Sequence, residues 1–209
     1  GREPPLGYVG FWPVSLGFNT LEPPFDDPDL RRAINYAIDR AQLVEIGWQG
    51  AGKSTLLPFP DYPALRPYVS AVSDLIQTSE IGIFDAEKSA RIMRAKGWER
   101  AEGQFWQKDG QPFRIIIDIF PIFNDLAPVL VAQLERAGFD ADFRMTSDAY
   151  TRMAQGTAHA FMTGHGGSVR DPYFTLRLYH SRFVQPTGTS AEYFWRWPNE
   201  RYDRVVDQM

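Results

Sequence analysis

The sequence predicts an α/β fold, a sheet containing parallel strands with helices packed on it. Three observations predict it. The last third alternates strand-like and helix-like apolar patterns in the order β-α-β-α-β, which implies parallel neighbours joined by right-handed crossovers. Residues 27–44 carry a capped amphipathic helix. The chain of 209 residues, 44% hydrophobic and 23% charged, can bury one sizeable core.

The elements follow in order. "GYVGFWPVSLGFNT" (7–20) mixes aromatic and β-branched residues and reads as one or two strands, with Pro13 at an edge or a break. In "DDPDLRRAINYAIDRAQLVEIG", Asp27 is the N-cap, Pro28 takes the first helical position and Asp29 suits the positive end of the dipole. Leu30, Ala33, Ile34, Ala37, Ile38, Ala41 and Val44 form one stripe, so the spacing predicts a single helix ending at Gly47. Residues 68–83 carry no clear pattern. "FDAEKSARIMRAKGW" (84–98) is a helix capped by Asp85 and stopped at Gly97, with Ala86, Ala90, Met93 and Ala95 toward one side. "GQFWQKDGQPFRIIIDIF" predicts a hairpin turning at Asp109-Gly110 and leading into strand 113–120. Helix 124–137 follows, with Leu126, Val129, Leu130 and Leu134 on one face. Strand 139–145 alternates Phe139, Ala141, Phe143 and Met145. Ser147 caps a short helix running to Gly156, and 158–164 is a third strand. His180 falls in a helix ending at Ser181, and Asp203 to Met209 reads as a further helix in progress.

"GWQGAGKS" (47–54) satisfies G-x-x-x-x-G-K-[ST], the phosphate loop of nucleotide hydrolases. Such a loop follows a strand and opens a helix, whose N-terminal amides hold the phosphates. Here a helix precedes it, and Pro58, Pro60, Pro63 and Pro67 forbid a regular helix directly after Ser54. The expectation is a glycine-rich helix exit with Lys53 on an exposed turn.

Net charge is −4 with no basic patch, which argues against nucleic acid or an anionic membrane surface as partner. No apolar run approaches the ~20 residues that span a bilayer. The chain has no cysteine, so disulfides, thiolate metal sites and cysteine nucleophiles are excluded. His159, placed on a strand face, His165 and His180 have no metal-ligand spacing, and neither H-E-x-x-H nor G-x-S-x-G occurs. "DDPD" is a helix cap, since no twelve-residue calcium pattern follows. No catalytic set, metal site or cofactor is expected. Six tryptophans hint at stacking on sugars or peptide side chains, but core packing explains them equally well.

Ligands of open α/β sheets bind beyond the carboxyl ends of the strands. Those ends are Pro121 to Asn124, Thr146 to Asp148, and Thr163 to Ser168. The candidate binding residues are therefore Phe123, Asn124, Asp148, Thr163, Gly164, His165, Gly166, Gly167 and Ser168. The glycines let backbone approach a ligand, and His165 and Ser168 offer hydrogen bonds.

"LGFNT" (16–20), "PPFDDPDLRRAINYAIDRAQLV" (23–44) and "LPFP" resemble the dipeptide/oligopeptide-binding family of ABC-transporter solute-binding proteins, family 5. The family run N-T-x-x-x-P-F-x-D-x-x-x-R-x-A-[IL]-x-x-A-[IL]-D-R is matched by Asn19, Thr20, Pro24, Phe25, Asp27, Arg31 or Arg32, Ala33, Ile34, Ala37, Ile38, Asp39 and Arg40. "FDAEKSARIMRAKGW", "FWQKDGQPFRIII", "RDPYFTLRLYHS" and "WPNERYDRVVDQM" resemble later family blocks in the same order. The resemblance implies one lobe of a type II periplasmic-binding-protein fold, a mixed sheet with flanking helices. Residues 1–209 would form a single α/β lobe, the second of two, cut at both ends from a longer protein. It implies capture of a peptide, oligosaccharide or similar small solute, no catalysis and no nucleic acid. The partners would be the first lobe and a membrane permease, and the location periplasmic or lipid-anchored outside the cell. Peptide binders of the family carry Trp and Asp in the loop before D-P, where the Asp holds the α-ammonium. His165 and Ser168 stand at those positions, and a serine supplies no such charge-assisted bond. Two rivals are a ligand-sensing domain of a transcription regulator of the same ancestry and a nucleotide-binding protein built on "GWQGAGKS".

Overall fold

The structure is a computed structural model and describes residues 13–164 and 166–209. Strand β1 is Val14–Phe18, and the part of the predicted 7–20 strand region before Pro13 lies outside the described residues. Helix α1 (Pro28–Tyr36) starts as its sequence dictates: the Asp27 carboxylate accepts from Asp29 N–H at 2.8 Å, and Leu30, Ala33, Ile34 and Tyr36 are buried.

The single helix predicted up to Gly47 is broken. Helix α1 ends at Ala37, Asp39 re-caps the chain by accepting from Gln42 N–H at 3.1 Å, and a short α2 (Arg40–Gln42) runs into a π turn, Leu43–Gly47. The break is held from outside. Buried Gln133 accepts from Asp39 N–H and donates to Asp39 C=O, both at 3.0 Å, so a distant side-chain amide supplies the acceptor for Asp39 N–H, while Asp39 C=O also accepts from Leu43 N–H at 3.1 Å.

The unpatterned 68–83 region overlaps two short helices, α3 (Arg66–Ala71) and α4 (Ser73–Ser79). Helix α5 (Ala86–Ala95) is capped by Asp85 as expected, but its buried positions are Ser89 and Met93, while Ala86 and Ala95 are exposed. Strands β2 (Gln107–Lys108) and β3 (Gln111–Pro112) form the predicted hairpin. Asp109 and Gly110 both have positive φ, 53° and 74°, as a two-residue turn between twisted strands requires.

The rhythm of the last third holds with shifted boundaries. Strand β4 is Arg114–Asp118, and a 3-10 turn, Pro121–Phe123, precedes α6 (Ala127–Arg136). Strand β5 is Asp140–Arg144, and Met145 is exposed beyond it rather than continuing the inward alternation. Helix α7 (Ala149–Gln155) has Asp148, not Ser147, at its N-cap, without a side-chain cap bond. Strand β6 is Ala160–Gly164. His159 is exposed just before it, not on the strand.

The main sheet has the order β1-β6-β4-β5. Strands β5 and β6 both run parallel to β4, and β1 is antiparallel to β6. The crossovers therefore leave and return on opposite sides of β4, and right-handedness puts α6 and α7 on opposite faces. Two cores result. Ile115, Ile117 and Ile119 pack with residues of α1, α5 and α6, whereas Ala149, Met153 and Phe161 pack with Phe194 and Trp195.

The remainder comprises α8 (Tyr173–Leu176), two 3-10 turns and α9 (Glu200–Val206), capped by Asn199. His180 is not helical. It sits between the turns, with its ring 3.4 Å from Asp203 and 3.2 Å from Asp207. Segment 187–197 is tied to the rest of the fold by fully buried Arg196. Its guanidinium donates to the carbonyls of Ala154 at 2.6 Å, Thr189 at 3.0 Å and Met153 at 3.2 Å, closing the C-terminus of α7. No helix among the described residues is long and apolar enough to cross a membrane.

Candidate functional site

Parallel β4, β5 and β6 end at one edge of the sheet, so the loops after them share that edge. Of the candidates from the sequence, Thr163 is buried in β6 opposite Ser15, and Gly164 is half-buried opposite Val14. His165 lies outside the described residues. Gly166 and Gly167 are half-buried; a Cβ on Gly166 would stand 3.0 Å from Leu178 Cδ1 and 3.3 Å from Phe174 Cε1. Asn124 and Asp148 are exposed.

Two further candidates are buried. Phe123 is packed in the main core, because the 3-10 turn after β4 places it inward, with its ring 6.4 Å from that of Phe120. Ser168 is fully buried and its hydroxyl is occupied. It accepts from Thr175 N–H at 2.9 Å, while Ser168 N–H donates to Thr175 Oγ1 at 3.0 Å. Thr175 Oγ1 also donates to Gly166 C=O. These bonds pin the glycine loop onto α8, so Ser168 shapes the edge without facing solvent.

Large apolar side chains stand exposed on the same three connections: Ile122 after β4, Met145 and Tyr150 after β5, and Val169, Tyr173 and Phe174 after β6. Arg177 lies over the Phe174 ring at 5.0 Å. This apolar edge was not singled out from the sequence, where only Met145 of these residues was assigned a position, on the inward face of its strand.

A buried charge cluster was also missed. Asp118, the last residue of β4, is fully buried and takes two arginines. Arg144 Nε and Nη2 donate to its two oxygens at 2.9 and 2.7 Å, and Arg152 Nε and Nη2 do so at 3.0 and 3.1 Å. Burial pushes the Asp118 carboxyl above the ordinary aspartate range, and Arg144 opposes that shift. The only sequence signal was an aspartate closing an isoleucine run.

The phosphate-loop pattern has no matching geometry. The π turn precedes it, residues 51–55 have no regular structure, and the next helix begins at Arg66. Lys53 is 77% exposed and pairs with Asp61 at 3.1 Å. Among the described residues no group of three or more His, Asp or Glu side chains could hold a metal ion.

The model of the bacterial extracellular solute-binding proteins, family 5, matches residues 6–185. The chain is 34% identical over 92 residues to "Heme-binding protein A" of Haemophilus influenzae, covering 44% of this chain and 15% of that protein. It is 23% identical over 172 residues to the "Nickel-binding periplasmic protein" of Escherichia coli, covering 78% of this chain and 30% of that one. The mannohexaose-bound periplasmic oligopeptide-binding protein of Thermotoga maritima superposes with a TM-score of 0.78 at 17% identity, over 96% of this chain and 39% of its own, a likeness of fold. The chain thus spans less than a third of the curated relatives it matches.

Proposed function

The chain belongs to the bacterial extracellular solute-binding proteins, family 5, and from that membership we propose that it is one lobe of a solute-capture protein serving an ABC importer. The observation that carries the proposal is the sheet edge. Three loops meet there, one of them glycine-rich and pinned, and all present exposed apolar side chains that a ligand or an opposing lobe would cover. Capture would come from closure of this edge against a first lobe, so affinity arises in the closed state. The family is one of binding proteins, and the role proposed for this chain is binding.

The ligand is proposed to be a small solute of the peptide or metal-complex class, in line with the heme and nickel in the relatives' names and the oligopeptide in the structural neighbour's. An oligosaccharide is a weaker alternative, supported by one neighbour of low identity. The proposed location is the periplasm or a lipid-anchored position outside the cell, with a membrane permease receiving the solute. Calorimetry of the full-length protein against a tripeptide pool, a nickel–histidine complex, heme and an oligosaccharide pool tests this. Saturable binding of one class, weakened by Tyr150→Asp at the edge, is expected. Absence of saturable binding to every class would overturn it.

A further inference from the structure

The Asp118 cluster carries more positive charge than its structural task requires. One arginine would neutralise the buried carboxylate and staple α7, which bears Arg152, to β4. Two leave the trio with a formal surplus of one positive charge. Both guanidiniums spend Nε and Nη2 on Asp118, and neither Nη1 has an acceptor among the described residues. The side chains remain 36% exposed at Arg144 and 22% at Arg152. Asp148 and His159 act on Asp118 through space, but neither lies within ion-pair distance of the arginines among the described residues. The place matters as much as the charge. Asp118 and Arg144 are paired in register as the last residues of β4 and β5, directly before exposed Met145 and on the path to Tyr150.

We propose that Arg144 and Arg152, held by Asp118, form a fork that receives a carboxylate of the captured solute. The proposal rests on the solute-capture reading. Asp118 fixes both guanidinium planes in advance, so little side-chain entropy is lost when an anion arrives. Planar guanidinium donors match a carboxylate better than they match a neutral amide or hydroxyl. The neighbouring Met145 and Tyr150 then suit a solute with an apolar body and an acidic end. A peptide terminus and an acidic metal chelate share this chemistry, and separate arms of the test tell them apart.

The test begins with the unmodified chain, its arginines labelled for side-chain NMR, titrated with succinate and with succinamide at constant ionic strength. Saturable shifts confined to Arg144 and Arg152, given by succinate and not by succinamide, are expected. Equal small shifts at all arginines, or none, would overturn the fork. In full-length protein, Arg144→Gln should weaken a tripeptide or a nickel–histidine complex, whichever binds, by about tenfold or more. Arg144→Lys should restore part of that loss, and Arg136→Gln, on α6, should change nothing. Each variant is first checked for wild-type melting; if Arg144→Gln melts early, the NMR titration of the unmodified chain decides. Solute binding that persists undiminished in Arg144→Gln refutes the fork and leaves solute capture standing. Specific succinate shifts in a protein that binds no solute would uphold the fork as an anion site and refute the capture reading instead.

Discussion

Replacing Gln133 with leucine tests what breaks the first helix. Gln133 lies buried on α6 and makes three hydrogen bonds: from Asp39 N–H and to Asp39 C=O, both at 3.0 Å, and to Gln42 Oε1 at 2.9 Å. Leucine has similar volume, so no large cavity forms and the loss is polar. Asp39 N–H loses its partner, at ~1–3 kcal/mol for a buried group left unsatisfied, whereas Asp39 C=O keeps its bond from Leu43 N–H at 3.1 Å. Water reaches part of this site, and the added apolar contact offsets about 1 kcal/mol. The expected net destabilisation is about 1–2 kcal/mol, read as a lower urea midpoint at unchanged slope. Gln133→Glu supplies a sharper comparison. One carboxylate oxygen would keep the Asp39 N–H, but the other would face Asp39 C=O and Gln42 Oε1 with no proton to donate, so the change should be at least as damaging at neutral pH. Its penalty should shrink as acid protonates the glutamate. A loss below about 0.5 kcal/mol for Gln133→Leu, the scale of an ordinary surface change, with unchanged hydrogen exchange at the Asp39 amide, would refute the idea that this side chain holds the break.

Gly156→Ala should cost about 2–4 kcal/mol in thermal or urea unfolding. Its φ is +72° and a Cβ would stand 2.4 Å from Arg196 Nε, so backbone strain adds to displacement of the guanidinium that closes α7. Lys53→Ala should change stability by no more than about 0.5 kcal/mol and leave solute binding intact, because its partner Asp61 is also solvent-exposed; saturable ATP binding lost in this variant would revive the nucleotide-loop reading. For Asp27, burial alone would raise the carboxyl, but hydrogen bonds from Lys96 and Asp29 N–H outweigh it and hold the group below its usual 3.8. A lowered folded value contributes stability that is present above the unfolded pKa and lost as pH falls through the folded one. The melting-temperature gap between wild type and Asp27→Asn should therefore be open at pH 6 and close as the pH drops below 3.8. A gap that stays constant through that range would assign the effect to shape rather than charge.

Short-range chemistry was legible in the sequence. Asp27 and Asp85 cap their helices, Asp109-Gly110 turns the hairpin, and the alternating last third forms the parallel strands and crossovers that make the fold α/β. These features depend on residues a few positions apart, so local periodicity and turn preference express them directly. The edge that carries the proposed site followed from the same rhythm, because strand ends are set by strand order in the chain. Only the tertiary structure decided the rest. The break in the first helix depends on Gln133, 94 positions beyond Asp39, and a stripe of alanines and isoleucines contains no trace of that partner. Ser168 looked free because its spacing from Thr175 shows no burial; the packed loop turns its hydroxyl inward. Phe123 is core rather than rim for the same reason. The Asp118 fork joins residues 26 and 34 positions apart, and it exists because β4, β5 and α7 converge on one point. Burial and long-range pairing are properties of the packed chain, and no local pattern states which distant side chain will arrive to satisfy a buried polar group.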